Sequence, residues 1–157
     1  FRKKEVPTMP EINEGGCVCK AIRYRVTGAP IRSYACHCTF CQRLTGSAFA
    51  MMSWFAEENV EIVGDGVMTY EHTVDETDRW FRLHSCNRCG TTFMATGERQ
   101  PGICYIMVGT FDDPNWIDLD RQIWIRSAQH WVVLPENMER FEKGAMPPPQ
   151  GASVSSQ

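Results

Sequence analysis

GGCVCKAIRYRVT, residues 15–27, places two cysteines two positions apart and then alternates apolar with polar side chains. Ile22, Tyr24 and Val26 share one face of an extended chain, and Arg23, Arg25 and Thr27 take the other. A period of two marks a half-buried β-strand, because successive strand side chains point to opposite faces. The pattern recurs. SAFAMMSWF (47–55), VEIVG (60–64), VMTYEHT (67–73), RWFRLHS (79–85), TTFMAT (91–96) and ICYIMVGT (103–110) read as strands, with QIWIRS (122–127) as one more. Turn residues separate them at Gly28-Ala29-Pro30, Gly64-Asp65-Gly66 and Asp113-Pro114-Asn115. Helical signals are confined to a turn at 39–45 and a short helix at PENMERFEK (135–143), which has Pro135 near its first turn and Gly144 at its end. The predicted fold is mainly β, with small antiparallel sheets and a few short helical turns.

The 157 residues are about one domain's worth. Residues 1–13 read as a flexible lead-in, 14–144 as the ordered domain, and 145–157, rich in Pro, Gly, Ser and Gln, as a disordered tail. A net charge of −3 is a poor match to nucleic acid, whose phosphates call for a basic surface. RKK at 2–4 is one small basic cluster, read as solvated tail. There is no run of about 18 apolar residues to cross a membrane. The charged opening FRKKEVPTMPEINE lacks the apolar core of a secretory signal, which points to the cytoplasm.

Seven of the eight cysteines lie in tight groups: Cys17-x-Cys19, Cys36-x-Cys38-xx-Cys41 and Cys86-xx-Cys89. Cys104 stands apart among apolar residues and reads as a buried core thiol. Without an exported context, close thiols suit a metal better than disulfides. A CxC or CxxC turn can aim both sulfurs at one ion, and Gly90, directly after Cys89, allows the positive φ that such a knuckle often needs. Redox dithiols would want a βαβ context that is missing. An iron–sulfur cluster is a further use for four thiols. Zinc fits the whole set best.

Seven thiols divide as four plus three. A four-cysteine site is closed and structural, whereas three protein ligands leave a position open, the pattern of catalytic zinc. Spacing alone does not decide which group joins which. The simplest division keeps Cys36, Cys38 and Cys41 together and joins Cys17 and Cys19 to Cys86 and Cys89. The rival completes a site with histidine. His37 is too close to its cysteine neighbours to join them without strain, which leaves His72, His84 and His130. Three thiolates on Zn²⁺ carry a net charge of −1, so an open site of this kind is a weak Lewis acid suited to a soft ligand such as a visiting thiol. A nearby cation would offset the added charge, and Arg43, two residues beyond Cys41, is the candidate. The five tryptophans could line a pocket, but β-domain core is the plainer reading.

GGCVCKAIRYRV, CHCTFCQRLTGSAF and SCNRCGTTF, in this order, together with the C-terminal IWIRSAQHWVVLPENMERF, resemble the glutathione-dependent formaldehyde-activating enzyme family, which also includes centromere protein V. The resemblance covers about residues 14–143. It implies a zinc-stapled β-tent built on small antiparallel sheets. It also implies two zinc ions per chain, a structural one on Cys17, Cys19, Cys86 and Cys89 and a catalytic one on Cys36, Cys38 and Cys41. The implied activity is a carbon–sulfur lyase reaction, the condensation of glutathione with formaldehyde to S-hydroxymethylglutathione. Two positions depart from the pattern: Lys20 stands where many members carry glycine, and Gln122 where histidine is expected. Two other functions compete. A non-catalytic zinc module would present a flat, filled surface beside the three cysteines, where an enzyme needs a deep pocket. A reductase of oxidised methionine would need a redox-active cysteine that ligates no metal, and only Cys104 is spare.

Overall fold

The computed structural model describes residues 12–74 and 78–144. Most of the stretch read as a lead-in and all of the stretch read as a tail lie outside the described residues. The first strand begins two residues inside the former. Eleven strands and one helix make up the described fold: β1 (Ile12–Gly16), β2 (Arg23–Thr27), β3 (Arg32–Cys36), α1 (Thr39–Thr45), β4 (Ala50–Ala56), β5 (Val60–Val63), β6 (Val67–Val74), β7 (Arg79–Cys86), β8 (Thr92–Gly97), β9 (Ile103–Met107), β10 (Arg121–Ile123) and β11 (Glu139–Phe141). No helix among the described residues is long and apolar enough to cross a membrane.

The strands form a three-stranded antiparallel sheet, β1-β2-β5, and an eight-stranded sheet, β11-β10-β3-β4-β9-β8-β7-β6. Neighbours in the large sheet run antiparallel except around β10, which is parallel to both β3 and β11. The mainly β expectation holds.

Period two along the central strands of the large sheet sorts their side chains onto two faces. On β9, Cys104 and Ile106 join one buried cluster, and Tyr105 and Met107 the other. On β4, Phe55 goes with the first, and Met52 and Trp54 with the second. The first cluster fills the space toward the small sheet, where Ile22, Tyr24 and Val26 meet Phe93 and Ile106. Burying side chains of this size stabilises the fold by about 1.5–3 kcal/mol each. The second cluster faces α1 and the end of β10. Gly15 permits the two sheets to meet: a Cβ there would sit 2.3 Å from the Tyr24 hydroxyl and 2.4 Å from the Thr110 carbonyl oxygen.

Three elements depart from the expectations. PENMERFEK is not a helix; its middle is β11, paired with β10 through Arg121↔Glu139 to Ile123↔Phe141. Nine residues are too few for a helix to hold on propensity alone. Here the open edge of β10 offers backbone partners, and Arg140 donates to the carbonyls of Leu134 and Pro135. QIWIRS stops being a strand at Ile123, because Trp124 turns into the left-handed region at φ 58° and a 3-10 turn follows. β3 reads weakly as a strand because all five of its residues are buried, so it shows no alternation. Its polar members are satisfied inside: Ser33 and Ser53 share a 2.7 Å hydrogen bond, and Arg32 lies over the Trp54 ring at 5.2 Å.

Candidate metal centres and cavity

The fold brings the seven clustered cysteines together as four and three. Cys17, Cys19, Cys86 and Cys89 form one group and Cys36, Cys38 and Cys41 the other, with the sulfurs of each group within 4.8 Å of one another. None of the eight cysteines is in a disulfide. His72, His84 and His130 join neither group.

The four-sulfur group is made by two knuckles. In one, the Lys20 amide donates to the Cys17 carbonyl and the Ile22 amide to the Cys17 sulfur. In the other, the Gly90 amide donates to the Cys86 carbonyl at 2.8 Å. Each knuckle ends on a residue with positive φ directly after its second cysteine: Lys20 at 64° and Gly90 at 73°. Lys20 thus holds a backbone conformation that glycine would adopt without strain. Sulfurs held at about 2.3 Å from a tetrahedral ion lie about 3.8 Å apart. Cys17 and Cys19 are at 3.6 Å, and Cys19 and Cys86 at 3.7 Å, so the group has the dimensions of a closed tetrahedral site. The Thr91 hydroxyl and, after it, the Cys19 and Thr91 backbone hold the Cys89 thiol down at about 5. Cys17 and Cys86 belong to the core toward the small sheet.

The three-sulfur group sits on the opposite face of the large sheet. Cys36 ends β3, Cys38 caps α1, and Cys41 lies inside the helix. The Cys41 amide donates to the Cys38 sulfur at 3.3 Å. Hydrogen bonds from the Cys36 and Cys41 thiols, then from the Cys41 and Phe40 amides, hold Cys38 down at about 3. Those two neighbours are pushed up, chiefly by sharing hydrogen bonds within the trio. Cys38 is therefore the sulfur of the trio held as thiolate, the form a metal takes.

The peptide between Cys36 and Cys38 is clamped by residues some 85 positions later. The His37 amide donates to the Ile123 carbonyl at 3.0 Å. The His37 carbonyl accepts from Gln42 at 2.8 Å and from the Ser127 hydroxyl at 3.0 Å. The His37 ring is fully buried, with Nε2 2.7 Å from the Gln122 Oε1. An amide oxygen only accepts, so His37 carries its proton on Nε2. Gln122, where the family pattern expects histidine, is thus a support for the cysteine turn.

All three cysteines of this group line a cavity of about 430 Å³, and none of the four-cysteine group does. Phe40, Trp54, Trp80, Phe81, Tyr105 and Trp124 supply much of its wall, and Arg79, Glu98, Arg99 and Arg126 add charge. Burial pushes the Tyr105 phenol up to about 12, so it keeps its proton at neutral pH.

Arg43 does not reach this cavity. It is exposed and lines a separate shallow hollow with Gln129 and Trp131. Residues two apart on a helix do not share a face, which separates Arg43 from Cys41. The arginines that do line the cavity are Arg79 of β7, Arg99 in the turn after β8 and Arg126 in the 3-10 turn after β10. The tryptophans also divide: Trp54, Trp80 and Trp124 line the cavity, Trp116 packs against the first core, and Trp131 is exposed. Cys104 is buried as expected, and burial pushes its thiol up to about 11, the setting of an inert core residue. The clamp and the charged wall escaped sequence reading; the departure at Gln122 was the available signal.

Comparison with known proteins agrees with this geometry. A Halomonas elongata protein, provisionally named as a glutathione-dependent formaldehyde-activating enzyme, is 22% identical over 129 residues, covering 77% of this chain and 80% of its own. A Rhodobacter sphaeroides protein of known crystal structure superposes with a TM-score of 0.50 at 18% identity, over 63% of this chain and 87% of that one, a likeness of fold alone. The profile of the glutathione-dependent formaldehyde-activating enzyme matches residues 12–127, most of the chain, and the protein belongs to that family.

Proposed function

We propose that this protein is a zinc-dependent carbon–sulfur lyase acting on a thiol–aldehyde adduct, of the type that joins glutathione and formaldehyde. The observation that carries the reading is the unequal placing of the two sulfur groups: three sulfurs open on a cavity and four do not. Cys17, Cys19, Cys86 and Cys89 would hold a structural zinc, and Cys36, Cys38 and Cys41 a catalytic one. A zinc ion held by three thiolates favours the thiolate form of a visiting thiol. In the condensation the sulfur bonds to the aldehyde carbon, and the thiol proton is transferred to the aldehyde oxygen, so no oxidant is needed. Tyr105, proton-bearing on the cavity wall, can donate to that oxygen. Arg79 and Arg99 place positive charge where a substrate carboxylate can meet it.

A cavity of about 430 Å³ beside the three cysteines favours an enzyme over a zinc module that only binds partners. The test is Cys38→Ser. The variant is expected to fold, to lose one of two zinc ions, and to lose glutathione binding measured by calorimetry. Glutathione binding equal to that of the unaltered protein would refute the catalytic assignment.

A further inference from the structure

We infer that the adduct handled at this site carries a ring-sized apolar group beside its sulfur, supplied by an aromatic or similarly bulky aldehyde, in place of a single carbon. The inference rests on the carbon–sulfur lyase reading above and deepens it.

Four aromatic side chains from three parts of the chain converge on the cavity while remaining only half buried: Phe40 of α1, Trp80 and Phe81 of β7, and Trp124 after β10. Two of them adjoin the cysteines in sequence or in sheet register. Phe40 lies between Cys38 and Cys41 in sequence, and Trp124 follows Ile123, the register partner of Cys36. The rings are ordered by their own contacts, with Phe40 stacked on His72 at 4.5 Å and edge-on to Phe81 at 6.1 Å. Half-buried rings held in place leave apolar area in water until something covers it.

Trp124 adds a second, independent observation. It adopts φ 58° and ψ 38°, a conformation that strains any residue with a bulky side chain. The fold keeps it there, and its ring lines the cavity under the Arg126 guanidinium, 4.9 Å away. Strain retained at a cavity wall points to a use for the ring. Glutathione contains no ring, and formaldehyde has no surface to fill such a cage. A ring one carbon from sulfur, as in the adduct RS–CH(OH)–aryl, would lie beside the three cysteines and among the four aromatic faces. Its formation is balanced: the thiol hydrogen goes to the aldehyde oxygen, and the carbon–sulfur bond forms without redox change.

The test uses the full chain loaded with cobalt(II), whose visible bands report thiol binding without any turnover. Phenylmethanethiol, which holds its ring one carbon from sulfur, is compared with 2-mercaptoethanol. We expect the ring-bearing thiol to bind at least about tenfold more tightly, and Phe81→Leu to cut that ratio severalfold. Cyclohexylmethanethiol separates stacking from simple apolar filling, and retention of most of the advantage by it still supports the inference. Affinities within about threefold, with both thiols shifting the bands, would overturn the inference and leave the lyase reading standing. If neither thiol shifts the bands, both fail. Should Phe81→Leu not fold, the ratio in the unaltered protein decides alone.

Discussion

Cys17, Cys19, Cys86 and Cys89 come from two turns that close on each other at the edge of one core, whereas Cys36, Cys38 and Cys41 come from a strand end and a helix start on the other face of the large sheet. Both groups have sulfur spacings a zinc ion can use. They differ in what surrounds them. The knuckles carry their supporting hydrogen bonds within themselves, from Ile22, Gly90 and Thr91. The trio has local help from the Cys41 amide and Gln42, but its middle peptide is also held from outside, by Ile123 and Ser127 acting on His37, and its remaining side is cavity. Self-contained turns suit a staple, and a turn held from elsewhere suits a site that receives a ligand.

The sharpest way to break this comparison is Cys86→Ser. Structural zinc contributes about 10–16 kcal/mol of apparent binding in small zinc domains, more than the net stability of many proteins. The variant is expected to lose its cooperative unfolding transition by circular dichroism; a melting curve like that of the unaltered protein would show the four sulfurs to be no staple. A chelator should next separate the two groups by rate. Zinc release followed with a chromophoric indicator should be biphasic, with the phase absent from Cys38→Ser being the faster one. Equal rates would remove the distinction between open and closed.

Smaller changes sharpen it. Ser127→Ala removes one hydrogen bond to the His37 carbonyl, a loss of about 1 kcal/mol, or roughly 2–4 °C in melting temperature. It should weaken metal affinity at the trio alone, measured by competition with a chelator in which the four-sulfur site stays filled. Lys20→Gly relieves a left-handed lysine, so about 0.5–1 kcal/mol of added stability is expected with no change in thiol affinity. A lower melting temperature would show that the lysine side chain matters more than its backbone strain.

Much of this architecture can be read from residues alone, and the exceptions have causes. Strands such as β2 and β7 declare themselves because one face is wet. β3 does not, since Arg32 and Ser33 are buried beside partners that only the folded chain brings near. β11 looks helical locally and becomes a strand because β10 offers it an edge. The grouping of the cysteines is the simplest division of the seven and the one the family resemblance implies, though spacing alone does not decide it. The identity of the cavity's cations is not legible in this way, because Arg79, Arg99 and Arg126 are remote in sequence from the three-cysteine motif, while Arg43, adjacent to it, faces away. Residues near in sequence are easily overrated as partners when a short helix rotates them apart.

The parallel docking of β10 on β3 has a consequence for how the molecule is made. Every sulfur of both groups lies within the first 89 residues, so the staple can close while the end of the chain is still being made. The His37 clamp and the Trp124 wall arrive more than thirty residues later. A nascent chain therefore passes through an interval in which its reactive trio exists without its enclosure, and a release or pause in that interval would leave an exposed, oxidisable thiolate in place of a finished site.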